Sequence, residues 1–420
     1  MSVAPVPHPS DPFDLAQADR LLRRPPPVVP IPAGDGVVIC TVARPAGDTG
    51  VQTHTRMLQS AIGKLGVHCC LVHPFTGSQK WLPIFALRKA IAPINPSAST
   101  QWYRHWHAAA LRENLIHRLK EKRPRAIIAQ CPPSAQAAMD ACAAMRMQVP
   151  IALVAHFNHS EATEYRARGQ LPNHRAFASV LEFEARVLRE VDHVIYVSTW
   201  AKGVVEIERR IVPRHSTVIW NGIADFTPAS PLSRQSLDLG ADDKVLINVG
   251  TLEARKNQIG LLDVFANVAG REPRAKLLLV GDGPQRRQIE QKVWALRLAD
   301  RVRLLGRRTD VPELLPLADA YVHYATVENC PVVLIEAARA RTASVAAPGG
   351  GVAEILSALA QSPPLPADPT AAADVILKLL GSDSCRRQFA AAARQKYEQK
   401  FTAAAMADAY LATLGVGRRR

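Results

Sequence analysis

Short apolar runs alternate along the chain with longer stretches whose apolar positions recur at helical spacing. Val37-Val38-Ile39-Cys40 is a four-residue run fit for a buried strand. It leads through a loop, Arg44 to Gly50, into a helical pattern from about Val51 to Leu65. Gly66 stops that helix, and Cys69-Cys70-Leu71-Val72 is the next strand. Ala126 to Ala129, Ile151 to Val154, Val194 to Val197 and Thr217 to Ile219 continue the series, with helical patterns between them. Residues 222–242 are irregular, with Pro228 and Pro231, which marks a linker. A second series follows, with strands at Val245 to Val249, Lys276 to Val280, Val302 to Leu305, Ala320 to Tyr324 and Ser344 to Ala346. The stretch from Ala371 to Leu414 is expected to be helical. Strand and helix alternating in this way predict parallel sheets covered on both faces. The fold class is therefore α/β, with two Rossmann-like doubly wound domains facing a central cleft.

The expected units are an irregular Pro-rich arm over 1–33, an N-terminal domain over 34–225 and a C-terminal domain over 226–400. A last helix in 401–420, with a basic tail, is expected to pack back on the first domain. The first 32 residues hold nine Pro, and only Asp14 to Arg24 is expected to be helical there. That start lacks the charged and apolar regions of a signal peptide.

Composition adds a charge imbalance. The chain has 420 residues and a formal net charge of +15. Between residues 51 and 125 twelve basic side chains face only Glu113 and Glu121, so this window carries +10 of the total. Such a field favours an anionic partner, and composition leaves open a phosphate-bearing ligand, an acidic membrane surface or nucleic acid. No apolar run reaches the length of a membrane span. Seven Cys without a C-x-x-C pair fit free thiols in a reducing cytosol.

Candidate chemistry sits at the carboxyl ends of the strands. After the first strand of the second series comes Gly250-Thr251-Leu252-Glu253-Ala254-Arg255-Lys256-Asn257. Arg255 offers a planar fork of donors and Lys256 a point charge, which suits a diphosphate; a solvated surface pair is the plain alternative. From Tyr324 to Ala338 the chain places Glu328 in a loop, Pro331 at a helix start and Glu336 on that helix. The N–H groups after Pro331, including those of Val332 and Val333, would form an anion site at the positive end of the helix dipole.

In this conjunction the chain resembles the family 4 glycosyltransferases of GT-B fold, over about Val37 to Lys400. Four segments carry the resemblance: Gly50-Val51-Gln52-Thr53-His54, Val218-Ile219-Trp220-Asn221-Gly222-Ile223, Gly250-Thr251-Leu252-Glu253-x-Arg255-Lys256-Asn257, and Glu328-x7-Glu336 followed by Pro348-Gly349-Gly350-Gly351-Val352-Ala353-Glu354. The resemblance implies a catalytic set of Glu328, His156, Lys256 and Arg255. Glu328 would contact the donor sugar, Lys256 and Arg255 the leaving diphosphate, and His156 the sugar from the first domain. It implies a donor-binding set of Gly50, Gly250, Arg255, Lys256, Asn329, Cys330, Val332, Val333 and Glu336, with Glu336 on the ribose and Gly47 near the phosphates. The chain departs from the family pattern at Thr251, at Asn329-Cys330-Pro331, at Arg341 and at Ala343. These changes touch the shape of the donor pocket and leave both carboxylates in place.

The implied activity is retaining transfer of a sugar, a hexose by expectation, from a UDP- or GDP-sugar to an acceptor hydroxyl in bacterial polysaccharide or glycolipid assembly. The alternatives on the same fold are a nucleotide-sugar epimerase and a non-catalytic nucleotide-sugar binding protein. No cofactor and no metal are expected, since no D-x-D stands between the strands. The partners expected are the nucleotide sugar, a carbohydrate or lipid-linked acceptor and an anionic membrane surface, and not nucleic acid, for which no motif is present. Trp81, Phe85, Trp102, Tyr103 and Trp106 lie among basic groups, which fits either a peripheral membrane face or a core helix with a solvated face. The expected location is the cytoplasm, at the inner face of the plasma membrane.

Overall fold

Six parallel strands form the first sheet: β1 (Val37–Cys40), β2 (Cys69–Val72), β3 (Ala126–Ala129), β4 (Ile151–Ala155), β5 (His193–Tyr196) and β6 (Ser216–Val218). Their order is β2-β1-β3-β4-β5-β6. Five more form a second parallel sheet: β7 (Lys244–Val249), β8 (Ala275–Val280), β9 (Val302–Gly306), β10 (Ala320–His323) and β11 (Ser344–Ala346), in the order β11-β10-β7-β8-β9. The computed structural model describes residues 36–45, 50–77, 79–226, 232–360 and 364–417. The expectations for the arm, for the helix Asp14 to Arg24, for Gly47, for Pro228 and Pro231 and for the three terminal arginines fall outside those residues.

The strands read as apolar runs because both faces of each sheet are covered. Every residue of β1, β3, β4 and β5 is buried. In each sheet the chain leaves its first strand to one side and returns to the other. β2 and β3 both pair with β1, and β8 and β10 both pair with β7. The loops after β1 and β3, and those after β7 and β10, therefore part at the carboxyl edge. Ligands of such sheets bind in these crevices.

The expected helical tail is three helices, Pro369–Leu380, Asp383–Lys400 and Ala403–Thr413. The breaks are fixed by caps that apolar spacing does not reveal. Ser382 accepts from the N–H of Cys385, and Thr402 from that of Ala405. At the second break the chain crosses from one domain to the other. Ile223 and Thr402 form a parallel bridge there, and Phe401 stacks on Trp220 with ring centroids 5.2 Å apart. A Cβ on Gly222 would stand 2.3 Å from the Thr402 carbonyl oxygen, so this close crossing needs glycine. The helix Ala403–Thr413 then packs against the helix Gly50–Lys64. Tyr397, Phe401 and Tyr410 are fully buried in a core that joins both domains. Each stabilises the joint by roughly 1.5–3 kcal/mol.

Two groups of the basic window lie on opposite edges of the first sheet. Arg118, Arg123 and Arg125 sit on the edge opposite the cleft, just before β3. There Arg118 pairs with Glu121, Arg123 donates to the Gln148 carbonyl and Arg125 to that of Gly417. Lys80, Arg88 and Lys89 lie on the carboxyl edge, in and beside the helix Leu82–Ile91. That helix has no buried residue. Arg104 is buried and ion-paired with Glu161. All seven cysteines are unpaired thiols.

Candidate functional site

The second-domain wall begins where β7 ends. The loops after β7 and β8 cross so closely that a Cβ on Gly281 would meet the Gly250 carbonyl oxygen at 2.0 Å. Ala254–Lys256 makes one 3-10 turn, and Asn257 follows in the left-handed region at φ 52°. Its side chain accepts from the Gly260 N–H and so starts the helix Gln258–Arg271. This turn aims Arg255 and Lys256 sideways, toward the loop after β10. The Thr326 N–H donates to the Arg255 carbonyl at 2.9 Å and pins that loop.

Glu328 lies buried between the two cations. Arg255 donates to its Oε1 at 3.0 Å through Nη1, and to Glu253 at 2.8 Å through Nη2. Lys256 Nζ makes a second ion pair to the same Oε1. Burial opposes the Glu328 charge, yet the Lys256 and Arg255 charges, with His323 once acid protonates it, outweigh it and hold the carboxyl at about 2. Beneath it, at the end of β10, His323 is held neutral by burial, with its pKa lowered to about 4. Its Nδ1 lies 2.9 Å from the Tyr321 hydroxyl.

The loop of Glu328 is zipped to the Pro348–Gly351 segment. The Glu328 N–H donates to the Gly349 carbonyl at 3.3 Å, and the Gly351 N–H returns a bond to the Glu328 carbonyl at 2.8 Å. A Cβ would fall 2.1 Å from the Thr326 oxygen at Gly349 and 1.9 Å from the Asn329 oxygen at Gly351. Pro331 is the N-cap, and the helix Val332–Arg339 starts one residue after it. Val332 and Val333 supply its first N–H groups. Glu336 is half-buried; burial raises its pKa and Arg339 lowers it, with a net rise.

Two residues expected in the donor-binding set have side chains buried within the protein. The Asn329 side chain crosses to the first domain. Its Nδ2 donates to the Phe157 carbonyl at 3.0 Å and to that of Ala155 at 3.5 Å, and Ser198 donates to its Oδ1. Cys330 is buried, and burial pushes its thiol up to about 12. Asn221 Nδ2 donates to the Cys330 carbonyl at 3.4 Å.

Those bonds of Asn329 flank His156, so they bring His156 and Glu328 to one place. His156 is half-buried, and its Nε2 lies 2.9 Å from Gln130 Oε1. The His54 ring meets it edge-on, with centroids 4.7 Å apart. Burial lowers the His54 pKa to about 4, against the nearby Asn221 side chain, which raises it. Burial, and then the neighbouring His54, lower that of His156 well below its usual value. Tyr410 of the last helix reaches the other side of His54, at 3.4 Å. Gly50 opens the helix Gly50–Lys64 on this edge, and a Cβ there would meet nothing within 4 Å.

Sequence reasoning did not single out Gln130 or Ser198. His54, Asn221 and Glu354 stood inside quoted motifs, with no role given to their side chains. Gln130 carries no local signal, since its role depends on β3 lying beside β4. Among the described residues no group of three or more His, Cys, Asp or Glu is placed to hold a metal ion. Nor is any helix among them long and apolar enough to cross a membrane.

Two family profiles match the chain. The one described as Glycosyltransferase Family 4 matches residues 49–225, and the one described as Glycosyl transferases group 1 matches residues 230–396. A stretch of 193 residues is 31% identical to the lipopolysaccharide core biosynthesis glycosyltransferase LpsD of Rhizobium meliloti. That stretch is 45% of this chain and 55% of the relative, so the chain spans about half the length of the relative it matches. The structure of HepE of Anabaena in complex with UDP-glucose superposes with a TM-score of 0.67 at 20% identity, over 90% of this chain and 99% of that one. Sucrose-phosphate synthase of Thermosynechococcus elongatus superposes with a TM-score of 0.67 at 18% identity, over 91% and 100%. At these identities the two structures speak to the fold.

Proposed function

Because the chain belongs to the family 4 glycosyltransferases of GT-B fold, we propose that it moves a sugar from a UDP- or GDP-sugar to an acceptor hydroxyl, with retention at the anomeric carbon. One observation carries this reading. Lys256 and Arg255 form a charge cluster around the buried Glu328, and Asn329 ties it to the two carbonyls that flank His156. The demanding step is departure of the diphosphate while positive charge grows on the sugar ring. Arg255 and Lys256 would turn from Glu328 to the leaving phosphates, aided by the N-terminus of the helix Val332–Arg339. Glu328, freed of part of that pairing, would face the sugar, and Glu336 the ribose. The donor chemistry is supported by the UDP-glucose that HepE binds on the same fold.

The acceptor is proposed to be a lipid-linked saccharide, as the name of LpsD suggests for that relative. The helix Leu82–Ile91 supports a docking face for it. Leu82, Leu87 and Ile94 are 46%, 48% and 86% exposed, beside Lys80, Arg88 and Lys89. Apolar side chains ringed by cations suit the headgroup zone of an anionic membrane. The basic group before β3 lies on the opposite edge and would not share that face.

The test is release of UDP or GDP from a panel of nucleotide sugars, with lipid extracts as acceptors. Turnover that survives both Lys256→Ala and Glu328→Ala would overturn these roles. Conversion of the free nucleotide sugar without any acceptor, seen by NMR, would instead mark an epimerase.

A further inference from the structure

Gln130 follows β3 directly, at the crevice between β1 and β3. Its N–H donates to the Cys40 carbonyl at 3.0 Å, which holds the loop in place. The residue is 2% exposed. The carbonyl oxygen of its side chain can only accept, and it lies 2.9 Å from His156 Nε2. Burial and the His54 ring keep His156 neutral, so the imidazole holds one ring proton. With the oxygen of Gln130 on Nε2, that proton sits on Nε2 and Nδ1 keeps its lone pair. Nδ1 has no hydrogen-bond partner among the described residues, and His156 is half-buried at the carboxyl end of β4. The His54 ring packs against His156 with centroids 4.7 Å apart, and the Tyr410 hydroxyl lies 3.4 Å from His54 Nε2.

We propose that Gln130 is a positioning residue: it fixes the Nε2–H tautomer of His156 and so presents Nδ1 to the cleft as an acceptor for a substrate hydroxyl. The substrate half of this statement rests on the transferase reading; the tautomer half does not. A turned amide would set the NH2 group of Gln130 against Nε2, and Nδ1 would then become a donor. The two arrangements select opposite partners, since a hydroxyl gives its proton to the first and its lone pair to the second.

The experiment is a two-bond proton–nitrogen correlation spectrum of the full chain carrying nitrogen-15 histidine, near neutral pH. His156 is assigned as the signal missing from His156→Gln. The expected pattern is a protonated Nε2 and a lone-pair Nδ1. Gln130→Leu should mix the two tautomers and lower kcat by about tenfold, the scale of one hydrogen bond. Its donor KM should stay within about twofold, because the hydrogen bond acts through His156 and not on the nucleotide. A proton on Nδ1 in the unaltered protein, or an unchanged His156 pattern in Gln130→Leu, would overturn the assignment. If the expected pattern appears but no nucleotide sugar is consumed, the transferase reading fails while the tautomer assignment stands.

Discussion

Glu354 of the second domain sits on the start of a first-domain helix, with its carboxylate 2.8 Å from the Thr199 N–H. The same carboxylate accepts from the Thr199 hydroxyl at 2.9 Å, from the Trp200 N–H at 3.3 Å and from the Trp220 indole at 2.5 Å. One side chain thus joins the helix Thr199–Gly203, the segment just after β6 and the segment after Gly351. Asn329 makes the second tie, to Ser198 and the carbonyls of Ala155 and Phe157.

Glu354→Ala should cost about 2–4 kcal/mol in urea unfolding, because four donors lose a charged acceptor. Glu354→Gln should cost less, since its oxygen keeps part of the set. Equal stability of Glu354→Ala and the unaltered chain would show that the tie contributes nothing.

Lys256→Ala should lower kcat for nucleotide release by about 10²–10³, the scale of one charge-stabilising donor in a preorganised site. Steady-state release of UDP or GDP reads it. A change confined to KM would mean that Lys256 binds the donor without aiding departure of the diphosphate.

The depressed pKa of Glu328 gives stability a pH signature. Its carboxyl titrates at about 2 in the folded chain and at about 4.3 in an unfolded one. The stabilisation is therefore complete above about 4.3 and is lost as pH falls through 2. Urea unfolding of the unaltered chain should fall more steeply over that window than unfolding of Glu328→Gln. At neutral pH the variant should be the less stable, because Lys256 and Arg255 lose their counterion.

Gly351→Ala should destabilise by about 3 kcal/mol and also reduce turnover, since its Cβ would collide with the Asn329 oxygen beside Glu328. Gly50→Ala, where the added carbon meets nothing, should stay within about 1 kcal/mol. Thermal unfolding of the two side by side separates a packed glycine from a free one.

Leu82→Asp with Leu87→Asp should reduce co-sedimentation with anionic vesicles and leave donor hydrolysis intact, both residues lying outside the charge cluster. Arg123→Glu, on the opposite edge, should leave vesicle binding nearly unchanged. The reverse ranking would move the docking face to the edge before β3.

The strands were legible to within a residue or so because each is a short apolar run buried on both faces, a property that belongs to the run itself. β1, β2, β3 and β11 fall where their runs predict, and Glu328, Pro331 and Glu336 keep the loop-and-helix arrangement that their spacing implies. The three-way division of the helical tail was not legible, since the breaks at Ser382 and Thr402 depend on caps and on the crossing at Ile223. Nor was the side-chain direction of Asn329, grouped by resemblance with the donor-binding residues and found bonded across the domains. A polar side chain chooses among whatever donors and acceptors tertiary folding brings within about 3 Å of it. For Asn329, Gln130 and Glu354 those partners lie 172, 26 and 155 residues away. The sequence by itself determined the two sheets and the carboxylates and cations at their edges. Only the meeting of the loops decided which of those charges pair, and which side chains surround the His156 ring.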